Sequence, residues 1–336
     1  MLPRDPRTAL RFAIRQVRAG AGAPAAPAPA AANLDRFMPW LMLVTSVALW
    51  GGTWVALKIA EAGGMPPLEF ATMRALPAGC ALLAVAVAVR APLAGIREYW
   101  RTLLGMTVST AFFFGLGAYG AQRLPGGLSS LLGNTAPLFI VIVAATVFRE
   151  RIAARAAAGV AIGFLGVAII ALPSLSGAGG DLAGIGELLL GSFALAFNTI
   201  WSKRAAHLNP IVANAAQMLG AGLALLIVAV AAGQFPAIPA RADQIVPIVY
   251  VSVCATAFAS VIWLLALRSV SAAAGGSMML LVPVFGHLWS RIFLHERIDP
   301  IELLGAAVAL AGIGLTLLPG RPSRVPAAAA GELTPR

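Results

Sequence analysis

PLFIVIVAATVFRERIAARAAAGVAIGFLGVAIIALP occupies residues 137–173, and PVFGHLWSRIFLHERIDPIELLGAAVALAGIGLTLLP occupies residues 283–319. The two stretches align without a gap at an offset of 146 (283 − 137). Pro137 meets Pro283, Glu150 meets Glu296, Arg151 meets Arg297 and Ile152 meets Ile298. Gly159 meets Gly305, Gly166 meets Gly312, and Leu172-Pro173 meets Leu318-Pro319. Each copy carries an apolar run to a short charged turn, RER or HER, and then a second apolar run rich in Gly and Ala. The chain is an internal duplication.

Composition says which solvent the copies face. The 336 residues are 60% hydrophobic and 11% charged, with a mean hydropathy of +0.87. An ordinary soluble domain is about 25% charged. The apolar runs are about 20 residues each, enough to cross roughly 30 Å of hydrocarbon as a helix. Cys80 and Cys254 both fall inside such runs, so neither a disulfide nor a CxxC metal site is expected. A net charge of +11 could point to nucleic acid, but the basic residues sit in short loops between the runs and read as orientation signals.

The sequence predicts ten spans, at about 38–60, 67–89, 102–121, 125–148 and 155–173, then 184–203, 210–232, 244–267, 271–294 and 300–319. Met65-Pro66-Pro67, Leu124-Pro125, Asn209-Pro210 and the segments 174–180 and 233–239 break the pattern between them. Residues 1–36 and 320–336 read as tails. The first holds six arginines around an Ala/Pro/Gly-rich, low-complexity stretch of the kind that stays disordered. RTALRFAIRQVR within it has the pattern of a basic amphipathic helix for a membrane surface, although a plain solvated tail is the simpler reading. No signal-peptide core follows the basic start.

With the N-terminus inside, 18 of the 24 basic residues fall on the cytoplasmic side. Five, namely Lys58, Arg123, Arg241, Arg291 and Arg297, fall outside, and Arg74 lies within the second span. Without the nine tail residues the split is still 9 to 5, which orients both termini to the cytoplasm of a plasma (inner) membrane. Five spans per copy return the chain to the opposite face, so the second copy is inverted relative to the first. The expected fold class is therefore all-α integral membrane: ten helices as two inverted five-helix repeats, residues 38–173 and 184–319. Inverted repeats around a midplane site are a common architecture of secondary transporters.

WGGTWVALK at 50–58 resembles the first-helix signature of the EamA family of the drug/metabolite transporter superfamily, and FATMRALPAG at 70–79 resembles that of its second helix. The runs QRLPGGLSSLLGNTAPLF and LRSVSAAAGGSMMLLVPVF, each followed by its glutamate turn, resemble the family's paired segments of the third and fourth and of the eighth and ninth helices. The resemblance covers residues 40–319. It implies export of amino acids or other small metabolites through a cavity between the first, third, fourth, sixth, eighth and ninth helices. His287 and Arg291 depart from the first copy, where Val141 and Ala145 stand.

Candidate substrate-binding residues are Trp50, Trp54, Arg74, Asn134, Asn198 and His287. Arg74 lies about seven residues into its span, where a charge must be paired, near water or snorkelling. It is read either as a structural partner of Glu69 or backbone carbonyls, or as a binder of a substrate carboxylate. His287 is the histidine well inside a span, with a proton-linked or binding role set against a hydrogen bond to a neighbouring helix. Pro137 and Pro283 are hinge or gating candidates, because a proline frees a carbonyl four residues back and freed groups at that depth face cavities. Simple packing bends are the competing reading. Trp40, Trp100 and Trp201 read as interfacial anchors, and Met278 and Met279 as an adaptable apolar wall.

The eight outer-side acids lie in loops or first turns, so the sequence does not argue for a carboxylate-driven antiporter. Walker, HExxH and CxxC signatures are absent, and no catalytic residue, cofactor or metal is expected. The expected partners are a small-molecule substrate and membrane lipid, not nucleic acid, with the chain a monomer or homodimer. Multidrug efflux of lipophilic cations and a non-transporting membrane scaffold or membrane enzyme remain the alternatives.

Overall fold

A computed structural model describes residues 31–92, 97–146, 153–175, 181–204, 208–234, 239, 241–267, 269–270, 278–297 and 299–317. Most of the basic tail, the RER turn at 149–151 and the C-terminal tail lie outside the described residues. The first half holds α1 (Ala31–Ala62), α2 (Pro67–Ala88), α3 (Trp100–Arg123), α4 (Gly126–Gly133), α5 (Ala136–Thr146) and α6 (Ala154–Leu175). The second holds α7 (Leu182–Arg204), α8 (Pro210–Ala231), α9 (Ala242–Val249), a π-helical stretch (Tyr250–Phe258) running into α10 (Ala259–Ala266), α11 (Leu281–Phe293) and α12 (Pro300–Leu317). Among the described residues there is no strand.

Among the described residues, seven helical stretches are long and apolar enough to cross a membrane, at Phe37–Ala62, Pro67–Ala88, Trp100–Arg123, Gly126–Val143, Leu182–Ser202, Pro210–Ala231 and Ala242–Ala266. Ala154–Ile169 and Pro300–Thr316 are shorter apolar helices, and α11 has 13 residues. α1 begins at Ala31, ahead of the expected start at Met38. Two of the expected spans are also not simple rods. The fourth is broken between α4 and α5 at Asn134-Thr135, which puts Pro137 in the first turn of α5. Pro283 likewise falls in the first turn of α11. A proline has no N–H and crowds the carbonyl four residues back, so the first turn is where a helix tolerates it. Ser192 Oγ and Thr135 Oγ1 both donate to the Leu132 carbonyl at 2.8 Å, and Asn134 Nδ2 donates to the Ser130 carbonyl at 2.7 Å.

α2 and α8 begin and end alike. Both are 22 residues long with proline at the first position, at an offset of 143 (210 − 67). Past their ends Arg90 and Gly233 adopt left-handed φ of 52° and 73°. The following amides, Ala91 and Gln234, donate back to Ala86 and Ala229, each at 2.8 Å, which closes the helix with a Schellman turn.

The principal pairings are α6 with α12, α3 with α7, α2 with α8 and α1 with α11. Contacts run in opposite order along corresponding helices. Gly79 packs on Leu219 while Gly222 packs on Leu76, and these two contacts exchange under the 143 offset. Gly159 meets the Gly312 carbonyl and Gly166 meets the Gly305 carbonyl, and these exchange under the 146 offset. Gly126 meets Ser290 while Ser130 meets Gly286. α2 and α8, and likewise α6 and α12, therefore cross as counterparts in antiparallel sense. A side chain at Gly159, Gly166 or Gly312 would collide with backbone, so glycine sets the α6–α12 distance.

The helix ends at 58–66, 119–126, 181–187, 241–244 and 290–297, with Gln234, gather on one face. Lys58 Nζ donates to the Gln122 carbonyl, and Gln244 Nε2 to the Gly63 carbonyl. Arg123 pairs with Asp181 at 3.0 Å and with Glu187 at 3.3 Å. The Arg123 hydrogen bond, aided by the Gly184 amide, holds the Asp181 carboxyl below the usual carboxylate range. Glu296 closes this face over α4, accepting from the Gly126 amide at 2.7 Å and the Gly127 amide at 3.2 Å. A carboxylate suits that place because the first amides of a helix have no partner within it.

Candidate functional site

A cavity of about 570 Å³ lies where the halves meet, lined from α1, α2, α3, the α4–α5 break, α7, α8, the π stretch, α10, α11 and α12. Its volume is that of an ordinary small-molecule site, which runs roughly 300–1,000 Å³. Trp50, Trp54, Phe113, Phe114, Ile140 and Met279 give it an aromatic and aliphatic wall. Thr53, Arg74, Thr110, Asn134, Thr199, Gln217, Thr256, Ser260 and Thr316 supply its polar groups. Among the described lining residues Arg74 carries the single charge. The lining reaches Thr316 near the end of α12 and Met279 just before α11, away from the ion-paired face.

The first-helix signature has a packing origin. Gly51 lets α1 approach the α11 backbone at Val282 and Gly286, and Gly52 leaves room for the Tyr250 hydroxyl. That hydroxyl donates to the Leu49 carbonyl at 2.8 Å. Trp50 lies 5.0 Å from Trp263, ring centre to ring centre, and Trp54 is buried against Gly133 beside the helix break. The two tryptophans are thus held by α10 of one half and α4 of the other, and both line the cavity.

Arg74 sits deep in α2, with its guanidinium carbon 4.0 Å from the centre of the Phe114 ring. The ring face attracts the cation but leaves the in-plane N–H groups unused. Its Nε is buried and has no hydrogen-bond partner, and the same holds for Thr53 Oγ1 and Thr256 Oγ1. Thr256 belongs to the π stretch, a wide turn frequent at functional sites.

Of the sequence candidates, Trp50, Trp54, Arg74, Asn134, Pro137 and Pro283 line this cavity. Asn198 and His287 are placed elsewhere. Asn198 Nδ2 donates across to the Met106 carbonyl at 3.0 Å and to Thr110 Oγ1 at 2.7 Å, joining α7 to α3. The His287 ring packs on Gly127, with Nδ1 3.0 Å from the Pro283 carbonyl, in the α4–α11 contact. The cavity also takes residues from α2, α8 and α12, beyond the six helices that the resemblance implied. Thr53, Thr110, Gln217 and Thr256 are additions from the structure. Subtracting each half from the other at the right offset would have marked them, since Gln217 is the counterpart of Arg74 (217 − 74 = 143).

Comparison with known proteins agrees with this architecture. The EamA-like transporter family matches twice, at residues 38–172 and 182–318. The uncharacterized transporter YvbV of Bacillus subtilis is 30% identical over 279 residues, covering 82% of this chain and 90% of its own. A WAT1-related chloroplastic protein of Arabidopsis thaliana is 28% identical, covering 84% of this chain and 70% of its own. A probable amino-acid metabolite efflux pump of Salmonella typhimurium is 26% identical, over 83% of this chain and 93% of its own. A crystal structure with 16% identity shares the fold at a TM-score of 0.60, over 82% of this chain and 94% of that one. This is a multi-pass membrane protein, and with both halves matched the chain belongs to the EamA-like transporter family.

Proposed function

We propose that the protein is a secondary transporter that exports a small metabolite, an amino acid or a related compound, across the inner membrane by alternating access. The observation that carries this reading is the cavity itself. It is contributed by both halves, its lining includes none of the ion-paired residues Arg123, Asp181 and Glu187, and it reaches toward the opposite end of α12. Antiparallel crossing of corresponding helices supports two inverted five-helix repeats and ten spans, the arrangement in which exchanging the conformations of the halves opens the opposite side. The positive-inside balance puts the ion-paired face outside and both termini in the cytoplasm, so this conformation faces inward. The Salmonella relative's name adds support for an amino-acid-like cargo.

Efflux of lipophilic cations is the second reading, and the cavity disfavours it. A cation would meet Arg74 and no carboxylate among the described lining residues. The test is counterflow in proteoliposomes, with labelled amino acids and one cationic dye as cargo. Trans-stimulated amino-acid uptake, reduced at least tenfold by Trp50→Ala, is the expected result. Dye movement without amino-acid exchange would establish the second reading in its place.

A further inference from the structure

The two halves of the cavity wall are equivalent in position and opposite in state. Gln217 is the counterpart of Arg74 (217 − 74 = 143), Thr110 of Thr256 (256 − 110 = 146) and Thr199 of Thr53 (199 − 53 = 146). All six line the cavity. On one side the polar groups are satisfied within the protein. Gln217 Nε2 donates to Thr110 Oγ1 at 2.8 Å, and Thr199 Oγ1 donates to the Leu195 carbonyl at 3.1 Å. On the other side the equivalent bonds are not made. Arg74 Nε, Thr256 Oγ1 and Thr53 Oγ1 are each buried without a partner.

Buried polar groups in proteins are nearly always paired, and a run of exceptions at one spot calls for a ligand. The three residues that carry the unpaired groups, from α1, α2 and the π stretch, all line one cavity, and one of them is a cation. The guanidinium offers a planar fork of donors, and the hydroxyls can donate beside it. That donor set matches a carboxylate. Phe114 covers one face of the guanidinium, so an acceptor must approach its edge. The remaining wall, with Trp50, Phe113, Ile140 and Met279, suits an apolar body. On the reading that this cavity is the transport route, we propose that its cargo is an organic anion whose carboxylate docks on Arg74 between the Thr53 and Thr256 hydroxyls. The filled oxygen positions would complete, with a ligand, the hydrogen bonds that Gln217 and Thr110 complete with each other.

The experiment compares acids with their own amides, so that only the charge and one donor change. Phenylacetate, indole-3-acetate and 4-methylpentanoate, each with its amide, and phenethylamine are titrated against the full-length purified protein to about 10 mM, a range that captures millimolar affinity. Binding is read from tryptophan fluorescence, since Trp50 and Trp54 line the cavity. The expected result is that at least one acid binds ten or more times tighter than its amide and that phenethylamine does not compete. Arg74→Gln should abolish that preference, Arg74→Lys should keep part of it, and Thr256→Val should weaken the acid about tenfold to a hundredfold, as loss of one bond to a charged group implies. Thermal unfolding of Arg74→Gln should be unchanged or improved, because the glutamine can bond Thr256 as Gln217 bonds Thr110. Equal binding of acid and amide, acid binding that survives Arg74→Gln, or no binding by any acid would overturn the proposal. Counterflow on the same preparation separates this from the transport reading. Amides or amines that exchange while acids do not would leave a carrier without an anion site. Acids that bind through Arg74 but never exchange would leave an anion site without a carrier.

Discussion

Two crossings between the halves, α6 on α12 and α4 on α11, are built from different materials. At the first, glycines bring backbone against backbone: Gly159 on the Gly312 carbonyl, Gly163 on Gly312, and Gly166 on Ala309 and the Gly305 carbonyl. At the second, hydrogen bonds do the joining. Glu296 holds the α4 amides, Ser130 Oγ donates to the Val282 carbonyl at 3.4 Å, and the helices themselves are broken or short. Close apolar contact has no substitute once separated, whereas a hydrogen bond can be exchanged for one to water or ligand. The α6–α12 crossing is suited to be the fixed frame, and the α4–α11 crossing the part that opens.

The largest effect should come from breaking the frame. Gly166→Leu places a side chain into the Ala309 backbone and should cost about 3 kcal/mol, the upper part of the usual range for overpacking. Thermal unfolding in detergent checks it, with Gly186→Leu as control, since Gly186 has open space around it and should change little. If both variants unfold alike, glycine packing does not hold the frame.

Next in size is the removal of the Glu296 charge. Glu296→Gln weakens two charge-assisted bonds to the α4 amides, a loss of about 1.5–3 kcal/mol. Hydrogen exchange at residues 126–128 should then speed up about tenfold to a hundredfold, while α6 and α12 keep their protection. Uniform acceleration across all helices would mean that the two crossings are one cooperative unit. Ser192→Ala is milder. It removes the one donor to the Leu132 carbonyl that comes from another helix at the α4–α5 break, leaving the Thr135 hydroxyl and amide, and should cost about 1 kcal/mol.

The glycine-packed crossing was more legible in the sequence than the hydrogen-bonded one. Glycines and prolines carry their structural demand in their identity, so Gly159, Gly166, Gly305 and Gly312 exposed the duplication and its period directly. Arg74 was conspicuous because a charge at that depth needs an explanation. Gln217 was not, because the 146 offset found in the second half of each repeat becomes 143 between α2 and α8. Side-chain direction was also hidden. Asn198 and His287 lie at cavity depth but turn to neighbouring helices, and a polar residue's depth alone does not say which way it faces. The π stretch left no trace either, since Tyr250–Phe258 reads as any apolar helix does.

The smallest expected effect tests whether α2 and α8 are equivalent in energy as well as in shape. Both end in the same Schellman turn, but the left-handed residue is Gly233 in one and Arg90 in the other. A side chain in that conformation costs roughly 1 kcal/mol relative to glycine. The Arg90 charge near the α2 C-terminus returns a few tenths of that through the helix dipole, less at an exposed, screened site. Arg90→Gly should therefore stabilise the protein by about 0.5 kcal/mol, and Gly233→Arg should destabilise it by a similar amount. Opposite shifts in the unfolding midpoint are the check. Destabilisation by both would show that the Arg90 charge outweighs its backbone strain, and that the two helix ends match in shape alone.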